Sequence, residues 1–204
     1  MRVAAGVRVA PIARPIFYYD ISSVYGYLAA ERIGGLIPEA DWRPILLGGL
    51  FKMNGRSSWW FSDERDDRVP EIEQRAARYG LPPITWPTSV WADLLGLARA
   101  GTVAKRAGLE IPFALAGFRA IYAEGRDPSE PAELRRIAAA VGLDPDSLLA
   151  DIADQSVKDD LRRTTEQAHE RGVPGVPTVV VGDRVFWGDD RLDEAARVAG
   201  SDSG

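Results

Sequence analysis

The 204-residue chain contains no cysteine. This absence excludes disulfide bonds, thiolate metal sites, redox cycling of protein thiols and a cysteine nucleophile. Histidine occurs only as His169, on a predicted solvent-facing helix, so general-base catalysis by histidine is not expected and no metal site is predicted. No apolar run approaches the roughly 18 residues that indicate a membrane span. A net charge of −5 is unlike the basic surface that binds nucleic acid.

The composition is that of a folded protein. With 46% hydrophobic residues, the chain is long enough to bury a sizeable core, as one domain or as one domain carrying an insertion. Residues 1–14 lack a clear apolar segment followed by a cleavage site. We expect them to form a disordered tail and the protein to be cytoplasmic. An edge strand at Val7–Ile12 is the alternative.

The first third of the chain follows a strand, turn, helix, strand pattern. Ile16–Tyr19 is short, β-branched and aromatic, and the polar group Asp20–Ser23 follows it. Apolar residues then recur at helical spacing. Gly34 and Gly35 predict the end of that helix. A second strand is predicted at Trp42–Leu47, which closes a βαβ unit.

The rest of the chain is predicted to be helical and then β. From about residue 69 the apolar spacing is almost wholly helical, with Gly- and Pro-rich turn signals between the helices and a helix at Ser156–Arg171. Residues 177–188, PTVVVGDRVFWG, predict two strands. They are joined by Gly182-Asp183, which predicts a type I′ hairpin turn. A short helix at Leu192–Val198 completes the pattern.

Two motifs resemble those of a known family. FYYDISSVYGYLA, residues 17–29, resembles the YFDFxSPYxYLA signature of the 2-hydroxychromene-2-carboxylate isomerases and kappa-class glutathione transferases. ERGVPGVPTVVVGDRVFWGDDRL, residues 170–192, is similar to that family's GVFGVPTFVVDGxxFWGxDRL over nearly its whole length. WRPILLGGLFK, residues 42–52, also matches the family's second-strand region. The resemblance covers about residues 16–200.

The resemblance implies a fold that composition alone does not give. It implies an α/β protein with a thioredoxin-like fold and an all-helical insertion. The expected thioredoxin-like domain comprises residues 15–68 and 170–204, and the expected helical insertion domain comprises residues 69–169.

The same resemblance gives Ser23 a role. In a thioredoxin-like fold the first helix begins beside the end of the first strand, and its free amide groups favour a bound anion such as a thiolate. Redox members of the superfamily place a Cys-x-x-Cys motif there, whereas this chain has Ser23 to Gly26. The sulfur is therefore expected on a bound thiol, either glutathione or another low-molecular-weight thiol. Ser23 is expected to donate its hydroxyl to that thiolate, although Ser22 or Ser23 could instead only cap the helix.

The second motif supplies further binding residues. The resemblance implies that Val176-Pro177 is a cis peptide, with Val173-Pro174 trans, and that the Val176 backbone binds the cysteinyl part of the thiol in the manner of an added β-strand. An ordinary trans turn proline is the alternative. In the family, the pair matching Asp189 and Asp190 holds the γ-glutamyl group of glutathione. Helix capping is the alternative for both aspartates, and Asp189 departs from the serine that kappa-type proteins commonly have.

The region after the second strand gives weaker signals. LFKMNG, residues 50–55, resembles the family's LFKxxG, which implies that Lys52 is a cation at the mouth of the site; a solvated lysine is the alternative. The family usually has an asparagine after this glycine, where this chain has Arg56, and Asn54 is the expected substitute.

The segment SSWWFSDERDDR, residues 57–68, contains two tryptophans and several charges. Trp59 and Trp60 are interpreted as packing under the insertion, with the wall of an aromatic-substrate pocket as the alternative. Arg65 and Arg68 stand among acidic residues and are interpreted as part of a solvated loop.

Taken with the family mechanism, these residues predict an isomerase. The implied thiolate adds to a small, unsaturated aromatic substrate, a carbon–carbon bond rotates, and the thiol then leaves. A kappa-like glutathione transferase and a redox-silent, thioredoxin-like protein that binds peptides are the alternatives. No nucleic acid or membrane partner is expected. The oligomeric state, including a homodimer, is left open.

Overall fold

The computed structural model describes residues 14–87 and 94–201. The predicted tail and the alternative edge strand at Val7–Ile12 lie outside the described residues, apart from Arg14, whose Nε donates to the carbonyl of Glu39 at 2.9 Å. No helix in the described part of the chain is long and apolar enough to cross a bilayer.

Four short strands and nine α-helices are present in the described residues. The strands are β1 Ile16–Tyr19, β2 Asp41–Pro44, β3 Thr178–Val181 and β4 Arg184–Trp187. The first helices are α1 Val24–Leu36, α2 Leu47–Met53, α3 Arg65–Arg78, α4 Leu94–Arg106 and α5 Glu110–Tyr122. The remaining helices are α6 Pro131–Ala140, α7 Pro145–Asp151, α8 Gln155–Glu170 and α9 Leu192–Ser201. Short 3₁₀ turns occur at Trp59–Phe61 and Asp189–Arg191.

The strands form one mixed sheet with the order β2-β1-β3-β4. Strand β1 is parallel to β2, with Phe17 opposite Trp42, and antiparallel to β3, with Phe17 opposite Val179. The hairpin β3–β4 is antiparallel, with Val179 opposite Phe186. Strands from the first part of the chain and from the C-terminal hairpin therefore share one sheet.

The sheet is covered on both faces. Alternate residues of β1 point to opposite faces, so Phe17 and Tyr19 pack in the larger core cluster, which also contains Phe118 of α5. Tyr18 packs on the other face in a smaller cluster with Ala168 of α8. In each of the two clusters, buried side chains of the sheet pack with side chains of the helical block. The domain division predicted from the sequence stays a prediction.

Three local predictions are wrong. Helix α1 continues through Gly34 and Gly35 to Leu36. Strand β2 ends at Pro44 and Leu47 already begins a helix, although the Ile45 N–H still donates to the Tyr19 carbonyl at 2.9 Å. The hairpin turn has positive φ at Gly182 alone and at no residue other than glycine. A type I′ turn needs positive φ at both central positions, so the turn resembles type II′.

Candidate functional site

The N-terminus of α1 is capped by Ser23. Its backbone is extended, with φ −94° and ψ 118°, and its Oγ accepts a hydrogen bond from the Gly26 N–H at 3.1 Å. Of the two serines that could cap the helix, Ser23 is therefore the cap, and the Ser22 hydroxyl donates to Asp20 Oδ1 at 2.8 Å instead. A serine hydroxyl that accepts at a cap still has its own hydrogen to donate. Ser23 can therefore cap the helix and donate to a ligand at once.

Asp20 holds the loop that carries the two serines. Its buried carboxylate accepts from the Ser22 N–H at 2.9 Å and from the Leu47 N–H at 2.8 Å. Its backbone carbonyl accepts from the Ser23 N–H at 3.0 Å. Burial raises the pKa of Asp20, while the hydrogen bonds from Leu47 and Ser22 oppose that rise. The loop before α1 is thereby fixed to the start of α2.

The loop before β3 contains the predicted cis peptide. Val176-Pro177 is cis, and no other cis peptide occurs in the described residues. The predictions for Pro177 and for a trans Val173-Pro174 bond are therefore confirmed. The Gly188 N–H donates to the Pro177 carbonyl at 2.9 Å. Within the described ranges, the N–H and C=O of Val176 have no hydrogen-bond partner, which leaves both groups available to an extended ligand.

These segments surround a cavity of about 850 Å³. The start of α1, the beginning of α2, the loop before β3, the end of β4 and one face of α3 all contribute to its wall. Four of the predicted site residues line it: Ser23, Val176, Pro177 and Asp189. A cavity of this volume is in the range that binds small molecules. The other predicted site residues, Lys52, Asn54 and Asp190, are not among the residues described as lining it.

The two adjacent aspartates have different surroundings. The side chain of Asp189 is fully buried and accepts from Arg75 Nη1 at 2.8 Å and from the Tyr79 hydroxyl at 3.0 Å. Burial raises the pKa of Asp189, and the charge of Arg75 opposes the rise. The Asp190 carboxylate is 56% exposed and lies 3.8 Å from Arg75 Nη1. The carboxylate of Asp189 thus forms its contacts within the protein, whereas the carboxylate of Asp190 is accessible to a ligand.

Lys52 and Asn54 lie at the end of α2. Lys52 is exposed on the last turn, so its role at the mouth of the site stays a prediction. Asn54 Nδ2 donates to the Val173 carbonyl at 2.9 Å, and its Oδ1 is 2.7 Å from His169 Nδ1. Asn54 therefore supports the loop that leads to Val176, and a ligand contact by Asn54 also stays a prediction. His169 is exposed, as predicted.

Aromatic side chains form another part of the cavity wall. Trp60 stacks on Trp86 with ring centroids 5.6 Å apart and an interplanar angle of 25°. Trp59 meets the ring of Tyr25 edge-on at 5.9 Å. All four residues line the cavity, and Trp59 also packs against the core. Trp59 therefore packs against the core, as expected, and also lines the pocket, which was the alternative.

The arginines in this region are on a helix. Arg65 and Arg68 lie in α3, so their assignment to a solvated loop is wrong. Arg68 donates to the Tyr25 hydroxyl at 3.3 Å and pairs with Glu64 at 2.6 Å. Arg56, which the sequence reasoning treated only as a departure from the family, also lines the cavity. A signal for Arg56 was present, because it replaces the usual asparagine at the edge of a matched motif.

Comparison with known proteins places the chain in a family. The model of the DSBA-like thioredoxin domain matches residues 16–198. The chain belongs to that family. Its membership and the sheet described above confirm the predicted α/β, thioredoxin-like fold with a helical insertion.

Two similar proteins have the same name. A 2-hydroxychromene-2-carboxylate isomerase from Sphingobium xenophagum is 32% identical over 194 residues, which cover 87% of this chain and 93% of that protein. One from Pseudomonas putida is 24% identical over 189 residues, which cover 86% of this chain and 89% of that protein. These matches confirm the resemblance to the 2-hydroxychromene-2-carboxylate isomerases.

A solved structure agrees with the fold. The structure of a 2-hydroxychromene-2-carboxylate isomerase has a TM-score of 0.80 with this chain at 22% identity, covering 93% of this chain and 95% of that one. At that identity the likeness establishes only the arrangement of sheet and helices.

Proposed function

We propose that this protein is a thiol-dependent isomerase of the 2-hydroxychromene-2-carboxylate isomerase type. Ser23 binds the thiolate of glutathione or of another low-molecular-weight thiol, and the substrate is a small, unsaturated aromatic molecule. The names of the relatives support an isomerase. The observation that carries the proposal is that Ser23, at the N-terminus of α1, lines the same cavity as the unpartnered backbone of Val176.

The start of α1 suits an anion. The free amide groups of the first helical turn and the helix dipole favour negative charge at this end. Ser23 accepts from Gly26 and retains its hydrogen, so its hydroxyl can donate to a thiolate. Donation to the charged form lowers the pKa of a bound thiol. The described lining residues include three arginines and no lysine.

The other residues fit a peptide-like thiol. Val176 offers one N–H and one C=O to the backbone of a cysteinyl residue, in the manner of an added strand. Asp190 is exposed beside Arg75 and offers a carboxylate for the ammonium of a γ-glutamyl group. Asp189 holds Arg75 and Tyr79 in place behind it.

The aromatic wall fits the second reactant. Trp59, Trp60 and Trp86 provide apolar faces for a planar ring, because offset-stacked and edge-to-face contacts are favoured between aromatic groups. A bound thiol would supply a nucleophilic sulfur for addition to a double bond of the substrate, and it would be regenerated after rotation about the carbon–carbon bond. Ser23 holds the negative charge on that sulfur before the addition and again on its departure, and the tryptophans orient the ring.

Binding and product analysis test this proposal together. Isothermal titration with glutathione measures thiol binding, and 2-hydroxychromene-2-carboxylate serves as the test substrate. We expect glutathione to bind and a substoichiometric amount of it to support many turnovers. The product should have the same mass as the substrate, because the thiol is released.

Two results would contradict the proposal. A product heavier by the mass of the thiol, with the thiol consumed one for one, identifies a transferase. If the folded protein binds neither glutathione nor any other low-molecular-weight thiol, both the isomerase and the transferase are excluded. That result would favour the peptide-binding alternative.

A further inference from the structure

Three arginines line the cavity, and two of them are paired with carboxylates. Arg68 pairs with Glu64 at 2.6 Å. Arg75 pairs with Glu71 and, at 2.8 Å, with Asp189. The charges of these two guanidinium groups are therefore compensated within the protein. They provide little net attraction for a ligand anion.

The third arginine, Arg56, is different. Its guanidinium carbon lies 4.7 Å from the centroid of the Trp187 ring, and its Nη1 donates to the Pro174 carbonyl at 3.4 Å. No carboxylate of the described residues forms an ion pair with it. A guanidinium stacked on a ring keeps most of its five donors and its charge. Arg56 is thus held in place on the cavity wall, and no carboxylate of the described residues neutralises its charge.

The position of Arg56 relates it to the thiol groove. Pro174, which it contacts, is two residues before Val176, and Trp187 packs closely on Gly175. Arg56 therefore lies against the same loop whose Val176 backbone is available to the ligand. By contrast, Asp189, Asp190 and Glu71 surround Arg75 and make that part of the site acidic. An ammonium suits the acidic part and a carboxylate suits Arg56.

We propose that Arg56 is a specificity-determining residue that binds a terminal carboxylate of the thiol, which in glutathione is the glycyl carboxylate. The proposal rests on the thiol-dependent function above. Arginine matches a carboxylate with two parallel N–H donors. The site therefore selects thiols that carry a carboxylate beyond the cysteinyl residue.

Titration calorimetry with two probes tests this assignment. The probes are glutathione and its ethyl ester at the glycyl carboxylate, and the variants are Arg56→Met, Arg56→Lys and, as the matched control, Arg184→Met. Arg184 also lies over an aromatic ring, 5.1 Å from the centroid of Phe186, and is not among the residues that line the cavity. We expect the native protein to bind glutathione on the order of tenfold more tightly than the ester, as for loss of one charge-assisted contact. Arg56→Met should remove that preference, Arg56→Lys should restore part of it, and Arg184→Met should leave it intact.

The outcomes separate this proposal from the proposed function. If Arg56→Met keeps the native preference for the acid, or if Arg184→Met removes it, Arg56 does not bind the carboxylate although the thiol still binds. If the native protein binds neither probe, the assignment of Arg56 to the glycyl carboxylate is wrong, and the proposed function is wrong as well if no other low-molecular-weight thiol binds. Unfolding curves of each variant confirm that the fold is retained, and a native-like curve is expected because Arg56 is exposed.

Discussion

At the scale of single residues, burial separates two adjacent aspartates that have the same chemistry. The Asp189 side chain is fully buried against Arg75, whereas the Asp190 side chain is 56% exposed. A buried charge is tolerated when it is paired and hydrogen-bonded, and removing one partner leaves the other uncompensated. Asp189 is therefore expected to support the fold and Asp190 to contact the ligand.

This contrast predicts that substitution of one aspartate affects ligand binding and that substitution of the other affects stability. Asp190→Ala should weaken glutathione binding by about 1 to 3 kcal/mol, the cost of a lost charge-assisted contact, and change stability little. Asp189→Ala should lower the free energy of unfolding by about 1 to 3 kcal/mol, because Arg75 and Tyr79 lose their shared acceptor. Titration calorimetry and denaturant unfolding measure the two effects. Unchanged affinity in a folded Asp190→Ala protein would remove Asp190 from the ligand site.

At the scale of secondary-structure elements, α1 and α5 approach each other closely beside the site. A Cβ atom at Gly26 would lie 3.1 Å from the Phe118 ring and 3.2 Å from the carbonyl oxygen of Asp20. The same carbonyl holds the Ser23 N–H. The absence of a side chain at Gly26 thus permits both the packing of α5 and the loop that carries Ser23.

Two glycines of α1 should therefore respond differently to alanine. Gly26→Ala should destabilise the protein by about 1 to 3 kcal/mol, as overpacking of a core does. Gly34→Ala is the matched control in the same helix, with no atom within 4 Å of the added Cβ, and should stabilise by about 0.5 to 1 kcal/mol. Denaturant midpoints measure both changes. Equal effects would contradict the close approach of α1 and α5.

The same elements show how far sequence reasoning reaches. Strand β1 follows from its β-branched and aromatic residues, helix α1 from the helical spacing of apolar residues, and the β3–β4 hairpin from the turn signal at Gly182-Asp183. The two matched motifs predict Ser23 and Val176-Pro177. Helix α2 was not predicted, because the sequence LGGLFKM contains two glycines that disfavour a helix. Its stability depends on packing against α8, in the cluster that contains Leu50.

The rest of the site depends on tertiary contacts that spacing does not encode. The contact of Arg75 with Asp189 spans 114 positions, and that of Arg56 with Pro174 spans 118. Because both arginines stand in polar segments, local pattern favours a solvated role for each. Both arginines reach the cavity only because α3 and the loop after α2 pack around it.

At the scale of the whole molecule, a charged network joins the edge of the sheet to the helical block. Lys105 of α4 donates to Asp41 Oδ1 in β2 at 2.6 Å and to Glu110 Oε1 in α5 at 3.2 Å. Arg43 also donates to Asp41, at 2.7 Å. Burial alone would raise the pKa of Asp41, but the bonds from Lys105 and Arg43 outweigh it and hold this pKa below its usual value of 3.8.

This lowered pKa predicts a pH dependence of stability. A carboxyl group whose pKa is lower in the folded state stabilises the fold above its unfolded pKa, and that contribution is lost as pH falls through the folded pKa. Asp41→Asn should therefore cost about 1 to 3 kcal/mol at neutral pH and less below pH about 4. The surface pair of Asp146, which is 88% exposed, provides the control, since Asp146→Asn should change stability little. A pH-independent loss in Asp41→Asn would contradict this account.

The account as a whole depends on Ser23, where the capped start of α1 meets the cavity. Ser23→Ala should raise the pKa of a bound thiol, because the charged form loses a hydrogen-bond donor and the neutral form loses little. Loss of the cap should also lower the free energy of unfolding by about 0.5 to 2 kcal/mol. That effect on stability does not itself alter the ionisation of the thiol. Ser22→Ala is the matched control, because Ser22 bonds Asp20 and does not cap the helix.

The most direct measurement is the ultraviolet absorbance of the thiolate, followed against pH at saturating glutathione in the native protein and both variants. The account predicts that the titration of the bound thiol shifts to higher pH in Ser23→Ala and stays at the native position in Ser22→Ala. A Ser23→Ala protein that binds glutathione and titrates like the native protein would contradict the central claim.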